Sequence, residues 1–151
     1  MINKLFNDPE DDYKWLAGWT DGEGTFSIAR VKRKWLERRV YQAQLIWTST
    51  DIETMEGLHD WLGGSLMYRK GAKPNHKPYV VLVLAQRQAE PVVEEILPHL
   101  RTKYQHAKLF LYYMTKVRLH GAQAYKGRTE EDWEELYEIY MEMRDLNHRG
   151  V

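Results

Sequence analysis

The sequence predicts an α+β fold with elements in the order α-β-β-α-β-β-α, followed by a further helix. Three observations carry that expectation. Four short segments have the composition or period-two alternation of strands. The stretches around them repeat apolar residues every three to four positions. Glycine- and proline-rich turns separate the two kinds of segment. The 151 residues fit a compact domain, read here as one unit over 1–151, with a core over about 8–119 and a C-terminal helix over about 129–147.

The first helix is expected to begin at Asp8. Asp8 is a capping residue type, Pro9 suits the first helical position, and Glu10, Asp11 and Asp12 favour the positive end of the helix dipole. It should end near Gly22–Gly24. In TFSIAR, Phe26 and Ile28 alternate with Thr25, Ser27 and Ala29. A second strand is expected over Val40–Thr48, with Tyr41, Ala43, Leu45 and Trp47 toward the core. Gln42, Gln44, Ile46 and Thr48 fall on the other face. Thr50-Asp51-Ile52-Glu53 reads as a capping box, and the helix it opens ends at Gly63–Gly64. Strands near Ser65–Lys70 and Tyr79–Leu84 flank the turn GAKPNHKP. A short helix holds Val92, Val93, Ile96 and Leu97, with Pro91 at its start and Pro98 after it. Helices near Tyr104–Leu119 and Thr129–Asn147 complete the chain. Trp133, Leu136, Tyr137 and Tyr140 form the apolar face of the last.

Composition excludes several classes. There is no cysteine, so disulfide scaffolds, thiolate metal sites and cysteine nucleophiles fall away. No apolar run approaches the ~20 residues that cross a bilayer, and the N-terminus lacks a signal-peptide pattern. A cytoplasmic protein is expected, or an organellar one if organelle-encoded, neither secreted nor tied to a membrane. The six histidines show no HExxH or zinc-finger spacing, and no P-loop or dinucleotide fingerprint occurs, so no small-molecule cofactor is expected.

Net charge is zero, but its distribution is uneven: residues 13–129 hold 19 bases and 10 acids, and the acids gather at the two ends. The segment 30–39, RVKRKWLERR, has six bases and one acid. Such a patch attracts a polyanion even in a neutral protein. A plain solvated hairpin accounts for the charge equally well.

The stretch WLAGWTDGEG, residues 15–24, carries the chemistry. Gly18 and Gly22 lie four apart on one helical face, where a second helix could approach closely. Asp21 and Glu23 fall at the helix C-terminus, where an acid is disfavoured. Something positive should compensate, and a divalent cation among oxygen ligands is a natural candidate. Two exposed acids at a helix end are the alternative reading.

LAGWTDGEG, residues 16–24, resembles the signature of the LAGLIDADG homing endonucleases, with Leu16, Ala17, Gly18, Asp21 and Gly24 matching directly and Glu23 at the second acidic position. STDIETMEGLHDWLGG (49–64) and LPHLRTKYQHA (97–107) resemble further segments of that family, so the likeness spans roughly 12–115. The resemblance implies an αββαββα core with a saddle-shaped four-stranded antiparallel sheet. It implies that Glu23 is a metal ligand, helped by the Gly22 carbonyl, and that Asp21 is structural. Lys103 corresponds to a basic residue near the cleft. Ser49 falls where relatives carry a longer water-ordering amide, and Glu53 where a helper base occurs in some of them. Magnesium (Mg2+) is the cofactor implied.

One signature per chain implies a homodimer, with Gly18, Asp21 and Gly22 at the interface and double-stranded DNA as partner. Such a two-fold enzyme would cut a long palindromic or pseudo-palindromic site by metal-dependent phosphodiester hydrolysis. The outward sheet face would enter the major groove with Thr25, Ser27, Gln42 and Gln44. Arg30, Lys32, Arg33, Lys34, Arg38 and Arg39 on one hairpin, and Tyr68, Arg69, Lys70 and Lys73 on the other, would supply further contacts, many of them to phosphate. A catalytically silent relative, an RNA-splicing maturase or a DNA-binding regulator, is the alternative. A carboxylate at Glu23 favours cleavage, because a binding module has no need of an acid there.

Overall fold

The computed structural model describes residues 5–120 and 127–149. The elements are α1 (Pro9–Glu23), β1 (Gly24–Val31), β2 (Val40–Ser49), α2 (Ile52–Leu62), β3 (Ser65–Arg69), β4 (Tyr79–Ala85), α3 (Gln86–Ile96), α4 (Tyr104–Leu119) and α5 (Glu130–Arg149), with a single 3-10 turn at Leu97–His99 before α4. The strands form one antiparallel sheet in the order β1-β2-β4-β3.

Strand parity decides the two faces of the sheet. Phe26, Ile28, Tyr41, Ala43, Leu45, Trp47, Val80, Leu82 and Leu84 are buried on one side. They share a core with Leu16 and Ala17 of α1, Met55 and Leu58 of α2, Val92, Val93 and Ile96 of α3, and Phe110 and Tyr113 of α4. The register pairs Thr25 with Ile46 and Ser27 with Gln44, so these four lie on the opposite face.

Several local expectations need correction. The Asp8 side chain does not cap α1; its backbone N–H instead donates to the Asp12 carboxylate at 2.8 Å. The cap of α2 is Asp51, one residue after Thr50: its carboxylate accepts the N–H of Thr54 at 3.2 Å and the Thr54 hydroxyl at 2.8 Å. Pro91 does not start α3 but lies inside it. The helix follows β4 without a loop because Gln86 takes a positive φ of 49° and its Oε1 accepts the Ala43 N–H at 3.0 Å. That amide sits one step beyond the last β2–β4 pair, Gln44 with Ala85, so the side chain continues the ladder.

At the end of α2, Gly63 and Gly64 take φ of 77° and 94°, a region that favours glycine. Thr129 and Asp132 close a reciprocal cap at the start of α5, with bonds of 3.1 and 3.0 Å. The buried face of α5 is Trp133, Leu136, Ile139 and Met143, whereas Tyr137 is exposed. This helix packs on α4 and β1, and Asn147 donates to the Phe26 carbonyl at 2.9 Å.

Candidate functional site

The site forms where α1 runs directly into β1. Thr20, buried one turn before the junction, accepts the Trp47 indole N–H on its hydroxyl at 2.9 Å, fixing the helix to β2. Gly24 must be glycine here, because a Cβ would lie 2.8 Å from the Thr20 carbonyl oxygen. The tight junction delivers Glu23 to the end of the sheet with its side chain exposed. Glu23, Thr48, Ser49, Thr50 and Tyr79 line an open cleft of about 380 Å³. Ser49 turns the chain into α2 by accepting the Asp51 N–H at 3.0 Å.

The two acids of the segment have different surroundings. The Asp21 carboxylate accepts the backbone N–H groups of Arg101, Thr102 and Lys103 at 2.8, 3.1 and 3.0 Å, and the Thr102 hydroxyl at 3.1 Å. These amides lead into α4, so the carboxylate meets the positive end of that helix. No hydrogen bond or ion pair joins the Glu23 side chain to another of the described residues. The Lys103 ammonium donates to the carbonyls of Thr20, at 3.3 Å, and Gly24, at the C-terminal end of α1. Burial lowers the Lys103 pKa below the ordinary lysine value, and the charges of Asp21 and Glu23 act against that shift. The compensation expected at this helix end therefore comes, for Asp21, from backbone amides, and for the α1 carbonyls, from Lys103. Thr20, Thr102 and Tyr79 were not anticipated as parts of the site. The buried Thr20–Trp47 bond and the α4 amides join segments remote in sequence.

Among the described residues, no three His, Asp or Glu side chains gather into a metal-binding group. The hard oxygen donors suited to a cation are the exposed Glu23 carboxylate and the Gly22 carbonyl of the last α1 turn. Trp15, Gly18, Trp19 and Gly22 share one face of α1 at helical spacing. A Cβ added at Gly18 or Gly22 would meet nothing within 4 Å, and Trp15 is exposed. The Trp19 indole N–H is buried and has no acceptor among the described residues. Asp21 faces elsewhere, toward residues 101–103.

The expected DNA-contacting residues separate into two groups. Thr25, Ser27, Gln42 and Gln44 share the outward face, with the Gln44 amide donating to Gln42 at 3.3 Å. Arg69 has the same outward parity, opposite Tyr79. Arg33, Lys34 and Arg39 lie in the β1–β2 loop, and Lys70 and Lys73 in the β3–β4 loop.

Four others have their side chains engaged within the chain. Arg30 has the inward parity of Phe26 and Ile28, and its guanidinium sits 5.5 Å from the Tyr137 ring centroid. Arg38 pairs with Glu130 at 2.5 Å and lies over Trp133 at 4.8 Å. Lys32 closes its own loop by donating to the carbonyls of Leu36 and Glu37 at 2.5 and 2.8 Å. Tyr68 has the inward parity of Leu66, and its hydroxyl donates to Glu56 of α2 at 2.5 Å.

The model of the family described as LAGLIDADG endonuclease matches residues 16–116. No curated protein matches the chain by sequence. Among solved structures, the homing endonuclease I-CvuI in complex with its target, in the presence of calcium, is similar at a TM-score of 0.73 and 19% identity, over 91% of this chain and 83% of that one. The archaeal intron-encoded homing endonuclease I-Vdi141I, complexed with DNA, gives 0.72 at 16% identity, over 92% and 86%. The homing endonuclease I-TnaI gives 0.68 at 20% identity, over 97% and 100%. At these identities the structures establish a shared fold, and no helix among the described residues is long and apolar enough to cross a membrane. With the family model covering 16–116, which takes in the α1–β1 junction, the cleft strands and the Lys103 segment, the chain belongs to the LAGLIDADG endonuclease family.

Proposed function

We propose that two copies of this chain, one domain each, assemble into a site-specific DNA endonuclease that hydrolyses both strands of a palindromic or nearly palindromic duplex with a divalent cation. The carrying observation is the position of Glu23. Its carboxylate is exposed, without a hydrogen bond or ion pair to another described residue, at the edge of the outward sheet face. It follows directly on the open α1 face of Trp15, Gly18, Trp19 and Gly22. A second copy seated on that face covers Trp15 and the accessible part of Trp19 and sets Glu23 of each copy at one locus.

The relative I-CvuI, solved with calcium and, with its DNA uncleaved, with magnesium, supports a divalent cation, and a site of one carboxylate completed by phosphate oxygens suits magnesium. Glu23 and the Gly22 carbonyl would hold it. When bound, the ion supplies charge stabilisation and an activated water for in-line displacement at phosphorus. Lys103, held at the α1 C-terminus by the carbonyls of Thr20 and Gly24, places its amino group beside the reacting phosphate. The Ser49 hydroxyl, in the same cleft as Glu23, orders a water there. Asp21 fixes the geometry of Lys103 and takes no part in binding the ion. Thr25, Ser27, Gln42, Gln44 and Arg69 face the groove, and Arg33, Lys34, Arg39, Lys70 and Lys73 hold phosphates.

The test is incubation with a random-sequence duplex library and magnesium. Paired cuts on both strands of a symmetric site are expected, with Glu23→Gln abolishing cutting while duplex affinity stays within about twofold. Sequence-specific binding by wild type without cuts would leave a DNA-binding protein and contradict the nuclease reading.

A further inference from the structure

The outward face of β4 does not have the composition of a solvated surface. Its outward residues are Tyr79, Val81, Val83 and Ala85, and its inward residues Val80, Leu82 and Leu84 are buried. A strand apolar on both faces is ordinarily covered on both. Here the helices packed on β4, α2 and α3, share their core with the inward residues. Val81 and Val83 stay half-buried on the other side. The register extends the apolar surface across the sheet: Ile46 of β2 lies beside Val83, and Met67 of β3 beside Val81. Ile46 and Met67 are also half-buried. Gln44, Thr25 and Ser27 border this cluster on the same face.

The charges around the cluster identify what covers it. Arg69 stands on the same face, with Lys70 and Lys73 beyond it, and Arg33, Lys34 and Arg39 occupy the loop at the other hairpin. An apolar patch rimmed by cations and amide side chains suits a polyanion with methyl groups on its inner edge. In the major groove the thymine C5-methyl is the apolar group a side chain meets, and glutamine pairs with the adenine edge.

We infer that Ile46, Met67, Val81 and Val83 form a thymine-methyl-reading surface that gives each half-site a T·A-rich stretch beside the contacts of Gln42 and Gln44. This inference rests on the duplex-DNA reading and adds the base composition that the central sheet selects.

The probe is a random-sequence duplex library bound by the full-length wild-type chain without added metal. T·A pairs should be enriched at matching positions of the two half-sites. The selected duplex is then resynthesised with deoxyuridine in place of thymidine, which removes only the methyl groups. Wild type should lose affinity by about fourfold for each contacted methyl, on the order of one buried carbon group. Val83→Thr keeps the β-branched shape but replaces one methyl by a hydroxyl. It should bring the thymine-to-uracil affinity ratio closer to one than in wild type. Equal wild-type affinity for the two duplexes overturns the inference and leaves specific DNA binding intact. Absence of any enriched duplex overturns the DNA reading and this inference with it. A thymine-to-uracil ratio of one, with Val83→Thr altering sedimentation, assigns the face to a second copy and likewise overturns it.

Discussion

The Asp21 carboxylate accepts the backbone N–H of Lys103 at 3.0 Å, while the Lys103 ammonium donates back to the Thr20 carbonyl at 3.3 Å. The exchange joins two helix ends of opposite polarity. The acid meets the amides entering α4, and the cation meets the carbonyls leaving α1. Both ends of the bridge lie beside the junction that presents Glu23.

Asp21→Ala leaves three backbone amides without their acceptor. Hydrogen bonds to a charged group contribute about 1.5–3 kcal/mol each in favourable settings, but these are open to water. The expected total loss is therefore about 1–3 kcal/mol. Thermal melting should show a fall of roughly 2–4 °C per kcal/mol for a chain of this size. Glu23→Gln, in contrast, should melt within about 2 °C of wild type, because the side chain is exposed and loses only its charge interaction with Lys103.

Two glycines six residues apart, Gly18 and Gly24, should respond in opposite ways. Gly18 lies in an open helical face, so Gly18→Leu fits the single chain and gains helix propensity of up to about 1 kcal/mol. It should abolish the dimer in sedimentation at concentrations where wild type pairs, with cutting lost and helical content kept. Gly24→Ala places a Cβ 2.8 Å from the Thr20 carbonyl oxygen. It should cost about 1–3 kcal/mol through overpacking at the α1–β1 junction.

Stability should fall on mild acidification. Burial lowers the pKa of His106, opposed by a hydrogen bond to the Leu146 backbone, and burial likewise lowers that of His120, opposed by Asp132. Both folded values lie below the usual 6.5. As pH drops through 6.5 the unfolded chain takes up these protons first, so unfolding becomes easier until the folded values are passed. The histidines tie α4 to α5. Melting from pH 7.5 down to about 5 should show the decline, and His106→Gln combined with His120→Gln should flatten it.

Most of the fold was legible because its signals are local. Alternation in Phe26–Ile28 and Tyr41–Trp47 gave the correct faces, and the double glycine at 63–64 ended α2 where expected. Errors arose where two residues competed for one role. Asp51, not Thr50, caps α2, and Gln86, not Pro91, starts α3. For Arg30 the strand pattern itself carries the answer: the parity that buries Phe26 and Ile28 also turns Arg30 toward α5. The partners of Asp21 were not legible. They lie 80 to 82 residues away and are backbone amides, which no side-chain pattern encodes.

A catalytic locus shared by two chains is tested most directly by the crystal structure of the protein on its selected duplex with calcium. Such a locus predicts a two-fold complex with anomalous calcium density about 2.3–2.6 Å from a Glu23 carboxylate oxygen of each copy, at the DNA backbone. A single chain on the duplex, or two chains whose Glu23 side chains stand apart in solvent, would contradict it.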